Sequence, residues 1–193
     1  MNQGAISNIV QPRFLFYEDC ENGGNRWTVN VGTPNFAMPA ALEGKLSFGL
    51  TASNDISKRL INSGSTPSAS LHFKIRLPAI GAGGDMAGFG NFNNTIFFTW
   101  LNIQNTGVCR VYDTSTFGAT TATMAANTTY NVWLEKRGTV SKLWFTTSSI
   151  QSSVASGSAN FAQVNGTNTG SIGEVWLTPG VAAYFDDFQV RQI

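Results

Sequence analysis

The chain has 193 residues, 12 Lys and Arg against 11 Asp and Glu, a formal net charge of +1, and only 12% charged residues. Near-neutrality without a basic cluster excludes nucleic acid and anionic membrane as partners, because both need grouped Lys and Arg, and no run approaches the roughly 18 apolar residues that span a bilayer. Fourteen Phe and five Trp in a chain that is 42% hydrophobic exclude disorder, since that much apolar surface can offset the entropy of ordering.

The N-terminus, Met1-Asn2-Gln3-Gly4-Ala5-Ile6, has neither a basic nor an apolar leader region, so it predicts no secretory signal. Residues 1–13 read as an arm, either docked on another surface or forming the first edge strand of its own sheet, and residues 14–193 as one domain. Early strands are predicted over Arg13 to Tyr17, Trp27 to Val31, Leu46 to Leu50 and Lys58 to Asn62. Leu71-His72-Phe73-Lys74-Ile75-Arg76-Leu77 alternates cleanly, apolar on one face and basic on the other. Thr95 to Gln104 is a further strand, and Tyr130 to Glu135 with Lys142 to Thr147 forms a hairpin around Arg137-Gly138-Thr139. Val175 and Leu177 mark another strand, and Ala183 to Val190 the last.

Three stretches break the alternation: Gly-rich Ala79 to Asn94, Thr- and Ala-rich Ser115 to Thr129, and polar Ser148 to Gly173. They read as long surface connections, the second with room for a short helix at Thr121 to Ala126. Many short strands with Gly- and Asn-rich connections predict an all-β fold, a two-sheet antiparallel sandwich or jelly roll. Cys20 and Cys109 are far apart and have no CxxC or Cys/His company; they read as two buried thiols, with a single disulfide as the alternative.

Three segments carry a family resemblance. Tyr17-Glu18-Asp19-Cys20-Glu21-Asn22-Gly23-Gly24-Asn25-Arg26-Trp27 resembles the acidic opening of concanavalin A-like, laminin-G-like jelly rolls, with Cys20 where an aromatic is usual. Tyr130-Asn131-Val132-Trp133-Leu134-Glu135-Lys136-Arg137-Gly138 with Lys142-Leu143-Trp144-Phe145 is similar to their central hairpin. Tyr184-Phe185-Asp186-Asp187-Phe188-Gln189-Val190 resembles their closing strand. The resemblance implies a polysaccharide-binding-module-like jelly roll and a structural calcium ion shared by Glu21 or Asp19 and by Asp186. Calcium suits such a cluster because it takes six to eight hard oxygen ligands; Arg13, Arg26 or Arg191 could neutralise the same acids instead.

Catalytic patterns are missing. His72 is the one histidine and has no sequence-local Ser or Cys nucleophile motif. Asp186 and Asp187 are consecutive in a strand, which predicts opposite faces and no carboxylate pair. Gly81 to Gly88 is superficially like a phosphate loop but lacks the Lys-Ser/Thr ending. No enzyme is expected.

Strand phase singles out the tryptophans. Trp100, Trp133, Trp144 and Trp176 each share their phase with polar neighbours, whereas Trp27 shares its phase with Val29 and Val31. Large apolar groups on a solvent phase mark a binding surface, unless a loop folds over them as a second small core. Two functions are compatible with this. The first is a phage virion protein that decorates or cements a capsid as a homo-oligomer, made in the host cytoplasm and using the arm and the tryptophan face. The second is an extracellular carbohydrate-binding module or adhesin that stacks sugars on the indoles.

Overall fold

The computed structural model describes residues 14–38, 42, 44, 46–60, 68–90, 97–114, 116–150, 154–168 and 172–193. The predicted arm therefore lies outside the described residues. Strands follow one another without a helix among the described residues: β1 (Phe14–Glu18), β2 (Thr28–Val31), β3 (Asn35–Met38), β4 (Ser47–Leu50), β5 (Asp55–Arg59), β6 (Ser68–Arg76), β7 (Gly83–Gly90) and β8 (Phe97–Gln104). They continue as β9 (Val108–Asp113), β10 (Thr116–Thr123), β11 (Thr129–Arg137), β12 (Val140–Thr146), β13 (Phe161–Asn165), β14 (Glu174–Leu177) and β15 (Ala183–Gln192).

Two antiparallel sheets form a sandwich of the jelly-roll kind, as the alternation predicts. One sheet runs β13-β12-β11-β6-β15-β4-β3, with β1 also paired to β15; the other runs β10-β9-β8-β7-β14-β5-β2. Period-2 alternation decides which side chains enter the core. On β6, Ala69, Leu71, Phe73 and Ile75 are buried, while Ser70, His72, Lys74 and Arg76 alternate with them on the outside. They join Val132, Leu134, Phe145, Phe185 and Val190 of the same sheet, and Ile56, Phe89, Leu101, Val111 and Val175 of the other, in one cluster. The β11–β12 hairpin turns through Gly138 at φ +54°, with Arg137 paired to Val140, the positive first angle a II′ turn needs. Cys20 and Cys109 are both buried free thiols.

The Gly-rich stretch is not a surface loop. β7 is a central strand between β8 and β14. Its glycines are required by proximity: a Cβ on Gly88 would overlap the Thr99 carbonyl and Trp100 Cβ of the next strand. The stretch after Ser115 is likewise the strand β10 and not a helix, and part of the polar run after Ser148 is β13. Gly118 of β10 lies against the Gln163 backbone of β13, so at this point the two sheets meet with no side chain between them. β3 and β9 were not predicted by alternation at all.

One charged pair sits inside the sandwich. Lys136 points inward from β11 and its Nζ lies 3.9 Å from Asp113 Oδ1 on β9, with both side chains fully buried. The ammonium also donates to the Asn168 carbonyl at 2.9 Å. Burial lowers the Lys136 pKa and the Asp113 charge opposes that shift.

Candidate functional site on the outer face of the larger sheet

Strand register lines up outward side chains into rows. Tyr17 of β1 pairs with Gln189 of β15, Gln189 with His72 of β6, His72 with Trp133 of β11, Trp133 with Trp144 of β12, and Trp144 with Phe161 of β13. The flanking row holds Lys74 opposite Asn131 on one side, and Arg191 opposite Ser70 on the other. Where β15 passes β6 its register shifts between Asp186 and Gln189, and Asp187 takes φ +50°. This bulge inserts one residue and breaks the alternation. As a result Asp186 and Asp187 line the same cavity, contrary to the expectation that they face opposite sides.

Around His72 these residues form a cavity of about 410 Å³, lined by Lys74, Asn131, Trp133, Asp187, Gln189 and Arg191 among others. The His72 ring stacks on Trp133 with centroids 4.8 Å apart and 28° between planes. His72 Nε2 is 3.1 Å from Asn131 Oδ1, and its Nδ1 is 3.8 Å from Asp187 Oδ2. Lys74 Nζ stands 3.7 Å from the same carboxylate oxygen. Gln189 Nε2 donates to Asp187 Oδ1, and Arg191 Nη2 donates to Gln189 Oε1, each at 3.1 Å. Burial holds the His72 pKa below its ordinary value, against the opposing pull of the Asn131 bond and the Asp187 charge. That burial favours the neutral imidazole. Planar donors and acceptors thus ring an aromatic floor, a chemistry that suits a ligand with many hydroxyl groups and one apolar face.

A second cavity of about 410 Å³ adjoins the first and shares Asp187 and Gln189 with it; Tyr17, Asp19, Glu21 and Asp186 complete its wall. The structure thus brings Asp19, Glu21 and Asp186 together. Partial burial, then the charges of Asp187, Asp19, Asp186 and Glu18, push the Tyr17 phenol up. Burial raises Asp186 to about 6, although Ser47 Oγ donates to it at 2.9 Å and the Asp187 N–H at 2.8 Å. Glu21 Oε1 accepts from the Leu46 N–H at 3.1 Å. Among the described residues no three His, Cys, Asp or Glu side chains stand close enough to hold a metal ion together. The cavity has the oxygen chemistry calcium requires without a closed set of ligands.

The four tryptophans do not form one platform. Trp133 and Trp144 lie outside the larger sheet, buried with Val154 and Phe161 in a second small core. Trp100 and Trp176 lie outside the other sheet, in one row through Gly88. Trp176 is buried. Trp100 is half-buried, stacked on Tyr112 at 5.0 Å and 5° and donating through Nε1 to Asp85 at 3.1 Å. Indole phase is local, whereas the sheet that receives each strand is decided by pairing. His72, Asn131, Asp187, Gln189 and Arg191 escaped the sequence reading as a group. Their only sequence signal is the polar phase of three strands whose adjacency is not local.

No protein-family profile matches the sequence, and no curated protein sequence matches it. Among solved structures, domain 4 of AbnA, a GH43 extracellular arabinanase from Geobacillus stearothermophilus solved with arabinotriose, superposes with a TM-score of 0.59 at 13% identity, covering 94% of this chain and 93% of that one. The CBM2 module of the evolved Dit of Lactobacillus casei BL23 phage J-1 gives 0.56 at 14%, covering 95% and 96%. This chain shares its fold with β-sandwich binding modules. A sialidase is matched at 0.58 and 11% identity, and there the chain spans only 17% of its length.

Proposed function

We propose that this chain is a glycan-binding domain whose site is the groove around His72, Trp133 and Asp187. The observation that carries the proposal is the row of outward side chains in which a stacked His72–Trp133 pair is flanked by Asn131, Asp187, Gln189 and Arg191 around a single cavity. Two fold neighbours of nearly the same extent, one solved with arabinotriose and one named as a CBM2 module, support it. A glycan array with the purified chain tests it. Retention on one class of saccharide, lost in His72→Ala and Asp187→Ala variants that still fold, is the expected result. Absence of retention, or equal retention by both variants, overturns it.

The phage origin of the second neighbour favours a virion setting, with the domain carried on a particle among other virion proteins. Antibody against the domain should then decorate intact particles, and unlabelled particles would remove this setting. A structural calcium ion in the acidic cavity would need Asp19, Glu21 and Asp186 to draw together on binding, since as they stand they are not close enough to share one. The protein would then melt lower in chelator than in calcium, and equal melting temperatures would remove the ion.

A further inference from the structure

The two cavities share the Asp187 and Gln189 side chains as a common wall, and Tyr17 stands next to Gln189 in the same register row as His72 and Trp133. They are therefore successive compartments of one groove running across the strands. Three strand spacings separate Tyr17 from Trp133 in this row, about 14 Å, more than a single sugar ring covers. Tyr17 is 47% exposed, a ring available for stacking at this end. Along the row, the other end is filled. Beyond Trp133 the row continues into Trp144 and Phe161, which are packed with Val154, while Ser149 lines the His72 compartment.

Building on the glycan reading, we infer that the groove holds the end of an oligosaccharide of two or more residues. The terminal residue occupies the compartment over His72, and the following residue lies over Tyr17. The shared wall explains how both residues are held. Asp187 is reached from both sides, and its oxygens accept from Gln189 Nε2 and face His72 and Lys74. A hydroxyl beside it finds an acceptor, with donors one bond further along. The bulge at Asp187 is what turns this carboxylate onto the outer face. For a glycan that runs along the row, a compartment filled at its far end selects a chain end over a position within a long polymer, because an internal residue would have to continue through Trp144 and Val154.

Calorimetric titration with α-1,5-arabino-, β-1,4-gluco- and β-1,4-galacto-oligosaccharides of one to four residues, and with the corresponding polymers, decides this. In the series that binds, affinity should rise at least tenfold from one residue to two or three and then level off, and the polymer should bind more weakly per sugar residue. Tyr17→Ala should remove that gain, and Tyr17→Phe should retain it. Melting temperatures of both variants establish that they fold. Equal affinity for one and three residues, or a gain that survives in Tyr17→Ala, overturns the extended groove while the glycan reading stands. Binding of no member of any series overturns both.

Discussion

Asp186 and Asp187 are neighbours in the chain and neighbours on one wall of a cavity, because the bulge in β15 cancels the alternation between them. Their environments nevertheless differ. Asp186 is 1% exposed and held by Ser47 and the Asp187 N–H, whereas Asp187 reaches the groove and faces His72 and Lys74.

Asp186 carries a pH signature. Its pKa rises on folding from 3.8 to about 6, chiefly through burial. A carboxyl whose folded pKa is raised favours the native state below its unfolded value and loses that contribution as pH rises through the folded value. At about 1.4 kcal/mol per unit the loss is on the order of 3 kcal/mol. Asp186→Asn keeps the shape and can keep the bond from the Asp187 N–H, with its amide nitrogen donating to Ser47 Oγ in place of an oxygen that accepts from it. Its advantage in melting temperature over wild type should be absent near pH 4, appear between pH 4 and 6, and be complete above pH 7. Thermal melts of both proteins across this range check it.

His72 is the single histidine of the chain, so its ring protons can be followed by NMR without assignment. Because burial depresses its pKa, the midpoint should lie below the unfolded value of 6.5. Asp187→Asn removes a charge that favours the imidazolium and should move the midpoint lower still. The depressed value also means that stability from this group is lost as pH falls through 6.5 toward the folded midpoint. A midpoint at or above 6.5 would contradict the burial of the ring.

Trp144 is packed in the small core outside the larger sheet. Phe161 lies 5.4 Å from its ring, and Trp133 and Val154 complete the cluster. Trp144→Ala should lower stability by roughly 3 to 5 kcal/mol in denaturant titrations, as for other buried aromatic truncations. Trp100, half-buried on the opposite sheet, should be less costly to truncate.

The Lys136–Asp113 pair joins the two sheets through the core. Lys136→Met leaves the buried Asp113 carboxylate without its ammonium and should cost about 3 to 5 kcal/mol. Replacing both, as Lys136→Met with Asp113→Leu, should recover most of that loss. Chemical denaturation of the three variants measures the coupling directly.

The all-β class, the β11–β12 hairpin, the β6 alternation and the closing strand were all legible along the chain, because each rests on a period of two or on a turn residue within a few positions. β7 was not, since a strand whose glycines yield space to its neighbours shows no alternation. The acidic residues Asp19, Glu21 and Asp186 could be grouped in advance by resemblance, and the structure places them on one cavity. The groove could not be. Its side chains come from β6, β11 and β15, whose adjacency is a matter of long-range pairing.

By itself the chain determined which side chains share a phase on each strand, since neighbouring Cβ atoms must point to opposite faces of a pleated backbone. Tertiary structure decided everything that depends on which strand lies beside which. It divided the tryptophans between two opposite surfaces and covered Trp144 with Val154. Through one inserted residue in β15 it turned Asp187 onto the face where His72 and Trp133 stack. Register is a property of pairs of strands, and a single bulge reverses the phase of every residue beyond it.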